Sequence, residues 1–254
     1  MISDDDLKEI KPKSPTSLAS SAHVQAGAPI PKAARIRLFA PTEWEEFVEE
    51  WETSLNGAYK KVRRLGSAGD KGVDIAGFAS DPGFQGIWDN YQCKHYDHPL
   101  RPGDVWVEIG KIIYYAHVGE YVPPRKHFFI GSQGIGTALE KLLNDPTKLK
   151  EQVRANWDKH CKTGRTTTGE IQLTGDLLKF FEAFDITIFS SKSHLELIES
   201  HSKTVYHVVR FGGGLPPRPD PEAPPSVPAA HESRYIRQLL DAYGDHLCST
   251  LTGC

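Results

Sequence analysis

The stretch from Gly66 to Tyr96 constrains this chain most, because it places polar side chains inside apolar, strand-like segments. A glycine-rich turn leads into Val73-Asp74-Ile75, and the next apolar run ends in Tyr91-Gln92-Cys93-Lys94-His95. Side chains alternate between the two faces of a strand, so Gln92 and Lys94 share a face that Asp74 can join, while Cys93 points the other way. Since burying an unpaired charge is costly, this spacing favours a site where the three polar groups act together.

These residue types suit a divalent cation beside a phosphate. Mg2+ prefers oxygen ligands, usually one or two carboxylates completed by water and phosphate. We expect Asp74 as the first ligand, the Gln92 amide as a neutral oxygen ligand, and the backbone carbonyl of Cys93 as a further one. Lys94 is expected to orient or deprotonate the attacking water, or to balance transition-state charge, since a lysine near a metal and other cations can have a lowered pKa. In the structural alternative, Asp74 caps a turn and Lys94 extends into solvent at a strand end.

The same residues resemble the PD-(D/E)xK nuclease superfamily, and more narrowly its Mrr-like branch, in which a glycine-rich turn precedes the aspartate and the next strand carries Gln-x-Lys. The resemblance spans roughly residues 41–211 and implies an α/β, restriction-endonuclease-like core with a mixed central sheet flanked by helices. It also implies a Mg2+-dependent endonuclease, with Mn2+ as a substitute, that cuts double-stranded DNA with little sequence preference. The family usually has an acid after an aromatic residue on the preceding helix. Glu45 takes that place, with Glu46 and Glu49 as substitutes.

Composition limits how such a protein would bind DNA. The chain of 254 residues has a formal net charge of -3, which argues against binding DNA by bulk charge alone. A DNA surface must therefore be local, or the basic residues are simply a solvated face. The residues predicted to contact DNA flank the glycine-rich turn and the second strand: Lys60, Lys61, Arg63, Arg64, Lys71 and Arg101.

The remaining composition predicts a cytoplasmic protein with free thiols. We find no apolar run of membrane-spanning length and no secretion leader, so we expect neither a membrane segment nor export. The four cysteines lack the spacing of a zinc site, and none is expected in a disulfide.

Hydrophobic periodicity predicts the order of the elements. A helix is expected from Pro41 with Thr42 as its N-cap, followed by an antiparallel meander of three strands. A second helix is expected after Asp104, and strands over 126–131, 184–189 and 205–211. Glu108 and Lys111 on the second helix could approach the site, although either is more often a surface residue. His194, His201 and His207 were expected to be surface or capping residues.

Four segments are predicted from these patterns. Residues 1–34 form a mobile tail, 35–211 the nuclease domain, 212–229 a Gly/Pro-rich linker, and 230–254 an amphipathic helix. The apolar side of that helix predicts contact with a partner or a second copy of the chain. It comprises Tyr235, Ile236, Leu239, Leu240 and Tyr243.

The C-terminal part also resembles effector subunits of Lamassu-type bacterial anti-phage systems. The resemblance lies in Arg210-Phe-Gly-Gly-Gly, the Pro-rich segment, and the helix containing Tyr235 and Tyr243. It implies partners, namely an SMC-like ABC ATPase and an accessory subunit, that keep the nuclease silent until foreign DNA is detected. It also implies a homo-oligomer when active. Two alternatives stay open: a stand-alone Mrr-like restriction endonuclease, and a catalytically inactive adaptor with a nuclease fold.

Overall fold

The computed structural model describes residues 7–8, 30–65, 71–163 and 169–212 and, near the C-terminus, residues 234, 237, 238, 240 and 241. The chain divides into two compact units, Met1–Leu215 and Pro216–Cys254, and the division falls inside the predicted linker. In the second unit, the described residues are helical and Leu240 is exposed. The other residues predicted to bind a partner lie outside the described residues: Tyr235, Ile236, Leu239 and Tyr243.

A mixed sheet forms the centre of the first unit, with its strands in chain order from β1 to β6. The strands are β1 (Leu7–Lys8), β2 (Lys61–Leu65), β3 (Ile75–Phe78), β4 (Trp88–Lys94), β5 (Lys126–Gly131) and β6 (Phe189–Ser191). Strands β1 to β4 pair antiparallel, which confirms the predicted meander, and β4 to β6 pair parallel. The predicted mixed sheet flanked by helices is therefore confirmed.

The helices cover both faces of this sheet. They are α1 (Lys32–Arg37), α2 (Pro41–Thr53), α3 (Trp106–His117), α4 (Thr137–Leu143), α5 (Pro146–Asn156), α6 (Gly175–Ala183), α7 (His194–His201) and α8 (His207–Phe211). A π-helical turn, Trp157–Cys161, continues α5, and short 3-10 turns follow α2 and precede α3 and β6. Within the described residues, no helix is long and apolar enough to cross a membrane.

Two apolar clusters hold the layers together. On one face, the predicted stripe of α2, including Phe47 and Trp51, is buried against Ile75 and Tyr91 of the sheet. On the other face, the apolar side of α3 packs with α5 and α6 against alternate residues of the same strands. The alternation of strand side chains thus sends neighbouring residues into different cores, as expected for a sheet covered on both sides.

Helix α2 begins differently from the prediction. Its N-cap is Ala40, and the backbone N–H of Ala40 donates to Glu43 Oε2 at 2.8 Å. Thr42 lies inside the first turn, so its predicted capping role is wrong. The reason is Pro41, which has no N–H to satisfy and favours the first helical position.

The segment predicted as the last strand, 205–211, is wrong in type because it contains helix α8. Helical spacing directs His207 and Arg210 toward the same neighbours. His207 Nδ1 lies 3.0 Å from His201 Nδ1, and Arg210 donates two 2.6 Å hydrogen bonds to Glu50 of α2. Long-range pairing with α2 and α7 therefore outweighs the strand preference of the local sequence.

The three histidines predicted as surface or capping residues are buried and occupy no cap position of α7 or α8, so that prediction is also wrong. His201 is fully buried, and its Nε2 lies 3.1 Å from Glu50 Oε2. His194 Nε2 lies 3.1 Å from the carbonyl oxygen of Gly131. Burial lowers the pKa of both imidazoles, although these hydrogen bonds partly oppose it. The imidazoles thus join helix α7 to helix α2 and to strand β5.

Two predicted boundaries shift. The tail predicted to end at residue 34 overlaps α1, and Lys32 Nζ of that helix lies 2.8 Å from His207 Nε2. The tail also contains β1, which pairs with the end of β2. The strand predicted over 184–189 begins only at Phe189, because Asp185 accepts the backbone N–H of Thr187 and starts a 3-10 turn.

Candidate functional site

Asp74 lies immediately before β3, where the ends of three strands meet. Its backbone carbonyl accepts the N–H of Leu65 of β2 at 2.8 Å, continuing the ladder. Its carboxylate Oδ2 accepts the backbone N–H of Cys93 of β4 at 2.9 Å. The carboxylate is therefore positioned by the two neighbouring strands rather than by a turn.

Lys94 faces α3, and Gln92, two residues earlier on β4, shares its face by strand alternation. Gln92 is almost fully buried, and in the described part of the chain its Oε1 has no hydrogen-bond partner. Lys94 Nζ donates to Glu108 Oε1 of α3 at 2.7 Å. Cys93 packs against the cluster on the α2 side, so the predicted separation of the two faces is confirmed.

Glu108 was not among the predicted site residues, although the sequence allowed it to approach the site. It is only 6% exposed and lies between Lys94 and Lys111. Lys111 Nζ is 3.2 Å from Glu108 Oε2, so these two residues form an ion pair. Burial opposes the charged form, yet the two ammonium groups outweigh it and lower the pKa of Glu108. The sequence signal was Glu108 one helical turn before Lys111. Which way the Glu108 side chain points, however, depends on how the helix packs.

The ion pair also determines the charge state of Lys94. Burial favours the neutral amine, but the nearby carboxylate of Glu108 outweighs burial, and Asp74 adds to it. The protein neighbours of Lys94 therefore raise its pKa, whereas a lowered pKa is expected only beside a bound metal. An ammonium that stays charged suits charge balance and orientation better than deprotonation of water.

An open cavity of about 290 Å³ lies on the α2 side of the same strand ends. Asp74, Glu45 and Arg64 line it together with Cys93 and His95. Asp74 therefore borders this cavity while its charge also reaches Lys94, which faces α3. The expectation that Asp74 joins Gln92 and Lys94 on one face stays a prediction, because Asp74 borders the cavity on the α2 side and Lys94 faces α3.

The three predicted helix acids separate in the structure. Glu45 is exposed and lines the cavity with Asp74. Glu49 lies 3.4 Å from Arg64, and Glu46 lies 3.6 Å from Arg210 on the side of α8. Of these three, Glu45 is the one that borders the cavity with Asp74.

A fourth helix acid, Glu52, was missed. It is fully buried and ion-paired with Arg64, and in the described residues its Oε2 has no hydrogen-bond partner. Burial raises its pKa to about 7; Arg64 opposes this shift, and the charges of Glu49 and Asp74 add to it. The sequence held a signal, because Glu52 follows the buried Val48 by four residues and so lies on the same helical stripe.

The basic residues predicted to contact DNA do not form one surface. Arg63 and Arg64 are adjacent on β2, so they point to opposite faces, and Arg64 is committed to Glu52. Lys71 is paired with Glu120 at 2.9 Å. The others lie nearer solvent: Lys60 pairs with Asp81, and Lys61 and Arg101 are exposed. Their contact with DNA stays a prediction.

The candidate ligands at this site are oxygen atoms, the type that a hard cation such as Mg2+ prefers. Asp74 and Glu45 supply carboxylates at one cavity, and Gln92 supplies a buried oxygen that lacks a partner in the described chain. Over residues 30–65, 71–163 and 169–212, no group of three or more His, Cys, Asp or Glu is arranged to hold a metal. A site made partly of amide and carbonyl oxygens contains fewer such residues. Cys93 and Cys161 are free thiols.

Comparison of the chain with known protein families, with curated proteins and with solved structures gives no match. The chain is thus established as a mixed α/β protein whose central sheet is covered by helices. A functional conclusion has to come from the chemistry of the site at the ends of β3 and β4.

Proposed function

We propose that this protein is a Mg2+-dependent endonuclease that hydrolyses phosphodiester bonds of double-stranded DNA. The observation that carries the proposal is the grouping of Asp74, Gln92 and Lys94 at neighbouring strand ends. A core position would normally be apolar, yet Gln92 is buried with an unpartnered oxygen and Lys94 is held by a buried acid. The mixed sheet between α2 and α3 also agrees with the restriction-endonuclease-like core that the resemblance implies.

Asp74 would hold the cation together with either Gln92 on the α3 side or Glu45 on the cavity side, and the carbonyl of Cys93 would add a further oxygen. A bound divalent ion supplies Lewis-acid polarisation of the phosphate and lowers the pKa of a coordinated water. The backbone N–H of Cys93 fixes one oxygen of Asp74 and leaves the carboxylate at the border of the cavity. Because Gln92 is neutral, it would add an oxygen ligand without adding negative charge.

Lys94 would act as a fixed cation beside the scissile phosphate. Its ammonium can donate to a phosphate oxygen or to the attacking water while Glu108 holds its other side. Glu108 is then a positioning residue, and Lys111 balances part of its charge. This arrangement keeps the amine oriented before DNA arrives.

We expect little sequence preference. Phosphate contacts give affinity without sequence information, and the proposed site would bind a phosphate rather than a base edge. The resemblance of the C-terminal region to Lamassu-type effectors supports a role in an anti-phage complex. In that role an SMC-like ATPase would keep the nuclease silent, and the active form would be an oligomer. Most residues of that region lie outside the described ones.

The proposal is tested by incubating the purified protein with supercoiled plasmid and Mg2+, Mn2+ or EDTA. Cutting is expected with either metal and not with EDTA. Lys94→Ala should abolish cutting, while Lys148→Ala, at an exposed lysine of α5, should cut like the wild type. Circular dichroism of both variants checks that they are folded. Normal cutting by a folded Lys94→Ala protein would overturn the mechanism.

A second function, that of a catalytically inactive adaptor, is favoured by one observation. The Lys94 ammonium is already paired with Glu108, which a purely structural ion pair would also show. Calorimetric titration with Mg2+ or Mn2+ separates the two. Metal binding that disappears in Asp74→Ala supports the enzyme, whereas absence of metal binding by the wild type supports the adaptor.

A further inference from the structure

The loop after β4 presents a stacked pair of rings next to Lys94. The rings of Tyr96 and His98 are parallel, with an interplanar angle of 2° and centroids 5.3 Å apart. Tyr96 is 37% exposed, and among the described Phe, Trp and Tyr residues it is the one that is exposed. An aromatic ring left at the surface while one face is already covered is a surface suited to stacking.

The position of this pair is fixed relative to Lys94. The buried Ser132 donates its backbone N–H to the carbonyl of Lys94 at 3.0 Å and its hydroxyl to the carbonyl of Tyr96 at 3.1 Å. His98 Nδ1 lies 3.0 Å from the carbonyl of Pro99. The same residue of the β5 end therefore anchors both the proposed catalytic lysine and the exposed ring.

The charges around the rings favour a base over a phosphate. The Asp97 carboxylate is 98% exposed, and Asp104 Oδ2 lies 3.8 Å from His98 Nδ1. These two acids repel a phosphate, but the uncharged face of a nucleobase meets no such penalty. Stacking on an aromatic ring is also tolerant of base identity, because every base has a π face.

We propose that the Tyr96 ring, backed by His98, stacks on an unpaired nucleobase next to the phosphate addressed by Lys94. This inference depends on the proposed nuclease function and refines its substrate. Bases inside an intact duplex have both faces covered, so duplexes with an unpaired base are the preferred substrate. Cutting at bulges, nicks and frayed ends is then faster than at continuous duplex.

The test uses 2-aminopurine, a fluorescent base analogue, at one unpaired position of a short bulged duplex, with EDTA present to prevent cutting. Wild-type binding should quench the probe. Tyr96→Phe keeps the ring and should keep the quench. Tyr96→Leu keeps apolar bulk without a ring, so it should lose the quench and bind roughly 5- to 150-fold more weakly, the range expected from stacking of one base. The matched control is a continuous duplex, whose binding the variants should leave nearly unchanged.

The outcomes separate this inference from the nuclease proposal. Plasmid cutting by the wild type together with equal quenching by Tyr96→Leu would overturn the stacking inference alone. Absence of cutting with Mg2+ or Mn2+, together with a quench lost only in Tyr96→Leu, would remove the nuclease and retain the base platform. Binding of the wild type without any quench would overturn the platform whatever the variants do.

Discussion

Glu50 provides the most direct test of how this fold is held together. Its side chain is 3% exposed and accepts hydrogen bonds from Arg210 Nε and Nη2, both at 2.6 Å, while His201 Nε2 lies 3.1 Å away. Burial alone would raise the pKa of Glu50, but His201 and Arg210 outweigh burial and lower it. One carboxylate therefore joins α2 to α7 and α8.

Glu50→Gln keeps the shape of the side chain and removes its charge. The guanidinium of Arg210, which is 11% exposed, then loses its main counter-charge. Breaking a buried ion pair by removing one partner costs about 3–5 kcal/mol. Glu46, 3.6 Å from Arg210 and 29% exposed, compensates in part. We therefore expect a loss near the lower end, about 3 kcal/mol of unfolding free energy.

The assay is urea unfolding at pH 7, with Glu45→Gln as the matched control. Glu45 is exposed on the same helix, so its change should stay within about 0.5 kcal/mol. The double variant Glu50→Met with Arg210→Met removes both charges and should recover much of the stability. A loss below about 1 kcal/mol in Glu50→Gln, or a double variant less stable than the single one, would refute the reasoning.

The remaining predictions concern pH, the site and packing. Burial lowers the pKa of His127 to about 3. The neutral imidazole therefore contributes its full stabilisation above the unfolded pKa near 6.5, and the free energy of unfolding should fall as the pH drops toward 3. Equal urea midpoints at pH 7.5 and 5 would contradict this. Glu108→Gln should slow plasmid cutting by roughly 10- to 100-fold through kcat more than KM, and unchanged kcat would exclude positioning of the lysine. Gly77→Ala should cost about 1–3 kcal/mol, because a Cβ would come within 2.6 Å of the Tyr59 ring. Gly57→Ala has nothing within 4 Å and is the control; equal melting temperatures of the two variants would count against the steric explanation.

Local patterns predicted the elements that carry their own signal. The helical stripe containing Phe47 and Trp51 lies in the core, and alternation along β4 placed Gln92 and Lys94 on one face. These patterns need only the period of a helix or a strand, which neighbouring residues specify. Element ends were less certain: Pro41 moved the N-cap of α2 to Ala40.

The sequence by itself determined the mixed α/β class, the meander and the residue types of the proposed site. Tertiary structure alone decided which distant groups meet them. Glu108 faces Lys94 only because α3 packs across β4, and His207 lies beside His201 only because α8 is helical and docks against α7. Burial and ion pairing depend on contacts between separate segments, whose geometry is not encoded in any local period, so the charge states and partners of these residues emerge only in the folded chain.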